Sequence, residues 1–392
     1  MKRTIGTSAY GVRTKIIKEG DNLVDITISS VLNTIKQNNL KLKDTDVIGI
    51  TESLVARAEG NYCNVEDIRD FTKDMFGTEF AVVFPIMSRN RFNIILKGLA
   101  MTKKKINIFL KFPQDEVGNR LMAEDTILNN NISTSTDILT EEEYYSLTDG
   151  GYLHDFTNLD YIKLYKENSI NDNIQIFLTN NPLKVLEKNK EILIANVHDR
   201  DRLKEIFKNN GAKVVYTLAD ILNKPINNSG FNDQYGLYGS NTATPNSLKL
   251  FPRSSEDFVK SVQLKFYNET GIKPQVLVFG DGAFKDPVGH IWELADPVVC
   301  PAYTDKLVGT PNEIKLKYFA DNDFKNLDDD QTESQIIKKI EENKKQKESS
   351  LGTTPRRITD LLGSLCDLIS GSGDKGTPIV YIKGYFDNYS DQ

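Results

Sequence analysis

Residues 276–299, VLVFGDGAFKDPVGHIWELADPVV, decide how the rest of the chain is read. They open with Val276-Leu277-Val278-Phe279, a run of β-branched and aromatic residues bounded by glycine, which reads as a buried strand. The run breaks at Gly280-Asp281-Gly282. A strand that stops there delivers a carboxylate to its end, and the flanking glycines let backbone or ligand come close. Metal ions and phosphates are often held in such places. Asp286, His290, Glu293 and the single tryptophan, Trp292, follow. Asp-Gly is also a hairpin signal, so a strand followed by a turn is the plainer reading.

Working outward, Phe258, Val262 and Phe266 give one face of a helix leading into this strand, with Ser254 and Asp257 at capping-box spacing. Further upstream, residues 174–178, 192–197 and 213–216 read as strands, with helical patterns between them at 182–190 and 201–209. This alternation predicts a parallel βαβ-type segment. Strands are also expected at 47–50, 81–86 and 106–112. Helices are expected at 23–37, capped by Asp21, and at 65–75 and 92–102. Residues 122–170 read as irregular structure with short helices, and 227–246 as an extended loop. A charged helix follows 321, with Ile336, Ile337 and Ile340 as its apolar stripe. Residues 357–370 form a last helix, and Pro378 opens the strand 379–382. The fold class is α/β of mixed α+β character. Its core is expected in pieces at 1–104, 231–320 and 351–392, around an inserted α/β segment at 105–230 and a charged insertion at 321–350.

Composition narrows the function. With 392 residues, 39% hydrophobic and 27% charged, the chain can bury a sizeable core. A net charge of −6 disfavours nucleic acid as a partner while leaving room for a local basic pocket. The three cysteines, Cys63, Cys300 and Cys366, form no CxxC pair and no disulfide framework. No signal peptide and no membrane-spanning run are read, so a cytoplasmic protein is expected.

Several loops carry candidate chemistry. Arg89 and Arg91, in Ser88-Arg89-Asn90-Arg91, offer guanidinium forks suited to phosphate or carboxylate, or are surface arginines at a helix start. Asp115 and Glu116 follow the strand 106–112 and are candidate ligands for a hard divalent ion, or a solvated pair in a turn. Glu52, Arg57 and Glu59 lie just past the strand 47–50. His198 sits at a strand end, where a histidine can act as ligand or base. The loop 371–378 is glycine-rich but lacks P-loop spacing; it could still turn N–H groups toward a phosphate.

At several of these places the chain resembles the coenzyme F-420:L-glutamate ligase family, the γ-glutamyl ligases. Gly11-Val12-Arg13-Thr14 with Gly20-Asp21, then Asp46-Val47, then Arg57-Ala58-Glu59-Gly60 are similar to that family's opening pattern. Gly236 with Ser240-Asn241 resembles its AGxDxSN loop, and Val278–Asp281 (278–281) its strand ending in aspartate. Thr359-Asp360 through 371–378 resembles its closing segment. There are departures: Tyr238 stands where the loop has its aspartate, and Ser53, Ala56, Arg57 and Asn61 replace the family's lysine, serine, lysine and arginine.

The resemblance implies a ligase driven by GTP or ATP, with Mg or Mn ions and a homodimer. It would join a small-molecule carboxylate to the amine of L-glutamate through an acyl phosphate, with no nucleic acid or membrane involved. Glu59, Ser240, Asn241 and Asp281 are the positions carried over by motif. Asp281 would hold metal, Glu59 would orient metal or a water, and Ser240 and Asn241 would contact nucleotide or metal-bound water. By their chemistry Arg57, Arg89 and Arg91 would clamp phosphate or carboxylate, and Asp115, Glu116 and Asp286 could replace the missing carboxylate. The alternatives are a non-catalytic nucleotide- or cofactor-binding regulator on the same fold and a metal-dependent phosphohydrolase.

Overall fold

The computed structural model describes residues 4–155, 157–281, 298–311, 315–346, 357–371 and 375–387. Gly282, Asp286, His290, Trp292, Glu293 and part of the loop 371–378 lie outside them. Residues 59–253 form one compact unit, and the segments before and after come together as another. The first unit contains β1 (Ser8–Val12) and β2 (Val47–Thr51). The second unit contains β3 (Tyr62–Asn64), β4 (Glu79–Val83), β5 (Lys105–Leu110), β6 (Leu139–Thr140), β7 (Ile174–Leu178), β8 (Glu191–Ile194), β9 (Val214–Thr217), β10 (Asn241–Thr244) and β11 (Ser247–Lys249). The first unit resumes with β12 (Gln275–Asp281), β13 (Val298–Tyr303) and β14 (Ile379–Lys383).

The first unit is a sheet in the order β1-β14-β2-β12-β13, in which only β2 and β12 run parallel. The apolar run 276–279 lies in β12 and is buried along its whole length, because both faces are covered. Val276 and Val278 point to one side, into a cluster with Ile28 and Val31 of the helix Leu23–Gln37 and Val262 and Phe266 of the helix Ser255–Thr270. Leu277 and Phe279 point to the other, against Leu362 and Cys366 of the helix Ile358–Ser370. That helix lies so close that a Cβ on Gly49 would collide with the Cys366 sulfur. Asn22, not Asp21, caps the helix Leu23–Gln37, accepting from Asp25 N at 3.2 Å. Asp21 instead closes the turn before it, accepting from Lys18 N and Lys15 Nζ, both at 2.7 Å.

The second unit is built on a sheet in the order β6-β7-β5-β4-β8-β9, with β4, β5, β7, β8 and β9 all parallel. From β4 the chain moves outward through β5 and β7, then returns to lay β8 and β9 on the opposite side of β4. Helices cover both faces: Phe92–Ala100 and Tyr161–Lys166 on one, Pro182–Lys188 and Arg200–Asn209 on the other. This is a doubly wound sheet, and its direction reverses between β4 and β8. The expected parallel segment is therefore present. Its first strand is Glu79–Val83, upstream of residue 105, so the segment 105–230 shares a sheet with chain that precedes it. The expected loop 227–246 contains β10, which pairs with β11 and, through it, with β3.

Candidate functional site

One edge of the first unit's sheet gathers the ends of four strands. Thr51, last in β2, pairs with Phe279, so Asp281 lies two residues further on in the parallel neighbour. On the other side of β2, Ile379 opens β14 opposite Ile50, and Val12 closes β1 opposite Ile379. Thr51 N donates to Pro378 O at 3.0 Å. Arg13, Glu52, Thr377 and Asp281 are thereby brought to one edge by backbone register. Glu52 opens the helix Glu52–Ala58, and only 5% of it is exposed. Its stem occupies the space that a Cβ on Gly280 would need, so here the glycine admits a neighbouring carboxylate side chain. The Thr377 Oγ1 is buried with no hydrogen-bond partner among the described residues. The carboxyl ends of parallel strands are where α/β sheets take ligands, and carboxylates placed there suit a metal ion. Sequence reasoning placed Asp281 here but passed over Glu52 as a site residue. The available signal was its position immediately after β2.

The remaining expected residues separate between the units. Arg57 belongs to the first, is exposed, and donates through Nε to Ile17 O at 2.6 Å. Glu59 belongs to the second, where it accepts from Arg253 N at 2.9 Å. The Arg253 guanidinium donates to Asn61 Oδ1 at 2.9 Å, and the fully buried Asn61 donates to the carbonyls of Phe231 and Phe251. Glu59 and Asn61 thus help fasten the chain near residues 231 and 251–253.

Asp115 and Glu116 both bind backbone. Asp115 accepts from Met87 N (2.8 Å), Val117 N (2.9 Å), Asn119 N (3.0 Å) and Asn119 Nδ2 (2.8 Å). Burial pushes its pKa up despite these four donors. Glu116 accepts from Val197 N (2.8 Å), His198 N (3.1 Å) and His198 Nδ1 (2.9 Å), fastening the loop after β5 to the loop after β8.

The basic loop and the Ser-Asn pair do meet. Thr242, next to Asn241, donates through both N (2.8 Å) and Oγ1 (2.6 Å) to Asn90 O, between Arg89 and Arg91. Asn241 Oδ1 accepts from Thr242 N at 2.9 Å. Arg89 is exposed, whereas Arg91 and Ser240 line one pocket. Gly239, at φ +70°, is packed against the Phe251 ring with no room for a side chain, and this sets the turn that presents Ser240. Tyr238, at the place of the expected aspartate, is buried. Its hydroxyl donates to Asn196 O at 2.8 Å, and the Arg200 guanidinium lies 5.0 Å from its ring centre. Burial holds the phenol well above the ordinary tyrosine pKa.

In the second unit the groups expected at a divalent ion have other partners. Tyr238 gives its neutral hydroxyl to a carbonyl, and Asp115 and Glu116 accept from N–H donors. Among the described residues no group of three or more His, Cys, Asp or Glu side chains could hold a metal ion. Nor, among them, is any helix long and apolar enough to cross a membrane.

The fold defines a protein of two α/β units, one with an acid-bearing strand edge, the other with a doubly wound sheet. The family model for F420-0:Gamma-glutamyl ligase matches residues 11–384, and the chain belongs to that family. It is also similar to an uncharacterized protein of Methanocaldococcus jannaschii, 39% identical over 54 residues that make up 14% of this chain and 17% of that protein. The match thus spans less than a fifth of that relative's length.

Proposed function

We propose that this protein is a nucleoside-triphosphate-dependent ligase that forms an amide between a substrate carboxylate and an amino acid, L-glutamate first among candidates. The observation that carries this reading is the gathering of Arg13, Glu52, Thr377 and Asp281 at one sheet edge, within a chain matched to the ligase family over 11–384. A carboxylate is a poor acylating agent, so it first attacks the γ-phosphorus of GTP or ATP. The nucleoside diphosphate leaves and an acyl phosphate forms. The glutamate amine then attacks the acyl carbon, the C–O bond to phosphate breaks, and the amine releases a proton as the amide forms. Such chemistry needs positioning and charge stabilisation more than covalent help from the protein. Arg13 is a cation at the edge. Glu52 lies where it can orient the amine or take up its proton. Asp281 would hold a divalent ion, with Asp286 as a further candidate ligand, and the ion would neutralise phosphate charge when bound.

The test is phosphate release from GTP and from ATP, with Mg or Mn, with and without glutamate and a small-molecule extract of the source cell. Release that needs both glutamate and extract, with a product heavier by one glutamyl unit, supports the ligase. Release that needs neither points to a phosphohydrolase. A second reading, a regulator that binds nucleotide without turnover, is favoured by one observation, the neutral Tyr238 seated against Asn196 O. It predicts nucleotide binding that needs no metal and yields no product.

A further inference from the structure

The doubly wound sheet carries a crevice of its own. Between β4 and β8, where strand order reverses, Pro85 and Ile86 follow one strand end, and Ala195 and Val197 follow the other. These residues line a pocket of about 500 Å³, counting its open mouth. Crevices at the carboxyl ends of parallel strands, at the point of reversal, are where open α/β sheets take ligands.

Its walls are mainly apolar, and Arg91 is the one charged side chain among the described residues lining it. Ser240 also lines it. Only 1% of Ser240 is exposed, and among the described residues its Oγ has no hydrogen-bond partner. Leaving a buried hydroxyl unsatisfied is costly, so the fold leaves a donor and acceptor to be completed from the crevice.

The turn from β4 into the helix Phe92–Ala100 argues against a polyphosphate. The N–H groups of Phe92 and Asn93 are already taken by Ser88 Oγ (2.9 Å) and Ser88 O (3.1 Å). The turn Phe84–Arg91 (84–91) has no glycine to let a pyrophosphate reach the backbone. Charge recognition falls to the Arg91 side chain, whose planar fork suits a carboxylate.

We propose that this crevice is a binding site for a small organic acid with an apolar ring or chain, its carboxylate held by Arg91 and a polar atom met by Ser240 Oγ. The site lies wholly within residues 59–253 and does not rest on the ligase reading, so either can fail alone.

The experiment is calorimetric titration of the full chain, without nucleotide or divalent metal. The probes are 3-phenylpropionate and hexanoate, with 3-phenylpropanol and GTP as comparisons. The acids are expected to bind, the alcohol at least about tenfold more weakly, and GTP not at this site. Arg91→Met should remove most of the preference for acid over alcohol. Ser240→Ala should weaken the acids by about two- to tenfold. Arg202→Met, an exposed change elsewhere on the unit, should do neither. Ile86→Trp, which fills the mouth, should abolish binding and serves if Ser240→Ala does not fold. The proposal is overturned if neither acid binds to folded protein, if acid and alcohol bind alike, or if Arg91→Met leaves the preference intact. Unchanged binding in Ser240→Ala, with stability unaltered, would show that the hydroxyl serves only an ordered water and would remove it from the site.

Discussion

The hydroxyl of Tyr238 donates to the carbonyl oxygen of Asn196 at 2.8 Å, joining the loop that carries Ser240 and Asn241 to the end of β8. This bond stands where the family resemblance leads one to expect a metal-binding aspartate, so the residue has an assignable structural task. Tyr238→Phe should keep the fold and cost about 1 kcal/mol, the usual worth of one neutral hydrogen bond. Tyr238→Asp should cost more, because it removes ring packing and buries a carboxylate. Denaturant unfolding of both variants is the check. A loss of divalent-ion binding in Tyr238→Phe would mean the phenol is a ligand after all.

Asp115 presents the converse case, a residue marked out for metal that instead organises backbone. Its four N–H donors come from Met87, Val117 and Asn119, so it holds the loop after β5 against the loop after β4. Asp115→Ala should destabilise the chain by at least about 2 kcal/mol through orphaned buried donors. The pH dependence has a defined sign. The folded pKa is raised above the ordinary 3.8. The stabilisation linked to this proton is fully present below 3.8 and is lost as pH rises through the raised folded value. Unfolding free energies of wild type and Asp115→Ala, compared from pH 3 to pH 7, should therefore diverge in slope, and parallel curves would contradict the shift.

Two cysteines provide a test of packing without mutation. Burial pushes the Cys63 thiol up to about 12 and Cys366 well above the ordinary value. At pH 8 a group of pKa 12 is thiolate only to about one part in ten thousand, and thiolate is the reacting species. Neither thiol should react with a disulfide reagent at pH 8 until denaturant opens the chain. Prompt labelling of either would contradict the packing of β3 or of the helix Ile358–Ser370.

Much of the fold was legible where pattern and burial coincide. The run 276–279 became β12 because both its faces are covered, and the alternation across 174–217 became parallel strands with intervening helices. What escaped was set by distant contacts. The short strand Ser8–Val12 carries a glycine and no apolar run, and is paired along its length with β14. The hairpin of β10 and β11 is completed by β3, whose residues lie more than 180 positions before their partners in β11. Within the candidate site, Asp281 could be read from the strand that stops at Gly-Asp-Gly. Glu52 could not be ranked above Arg57 or Glu59, because only the parallel pairing of β2 with β12 separates it from them. For the crevice, the loops that hold Arg91 and Ser240 were each visible, but their meeting depends on Thr242 bonding to Asn90 O.

The edge of the first sheet allows a sharper functional test than the loss of Asp281. Glu52 is buried beside Gly280 and shapes that edge without lying in the aspartate motif itself. Glu52→Gln keeps the size and the packing of the stem but removes the charge. If Glu52 handles the amine or its proton, glutamate-dependent phosphate release should fall about 10²-fold or more, the usual scale for a general acid or base. Unfolding should shift little. Gly280→Ala is the companion variant, since its methyl collides with the Glu52 stem. It should displace the carboxylate and lose turnover together with about 1–3 kcal/mol of stability, as overpacking does. If Glu52→Gln retains full turnover while Gly280→Ala loses it, the edge serves the reaction through shape alone, and the amine's proton must be handled by another group.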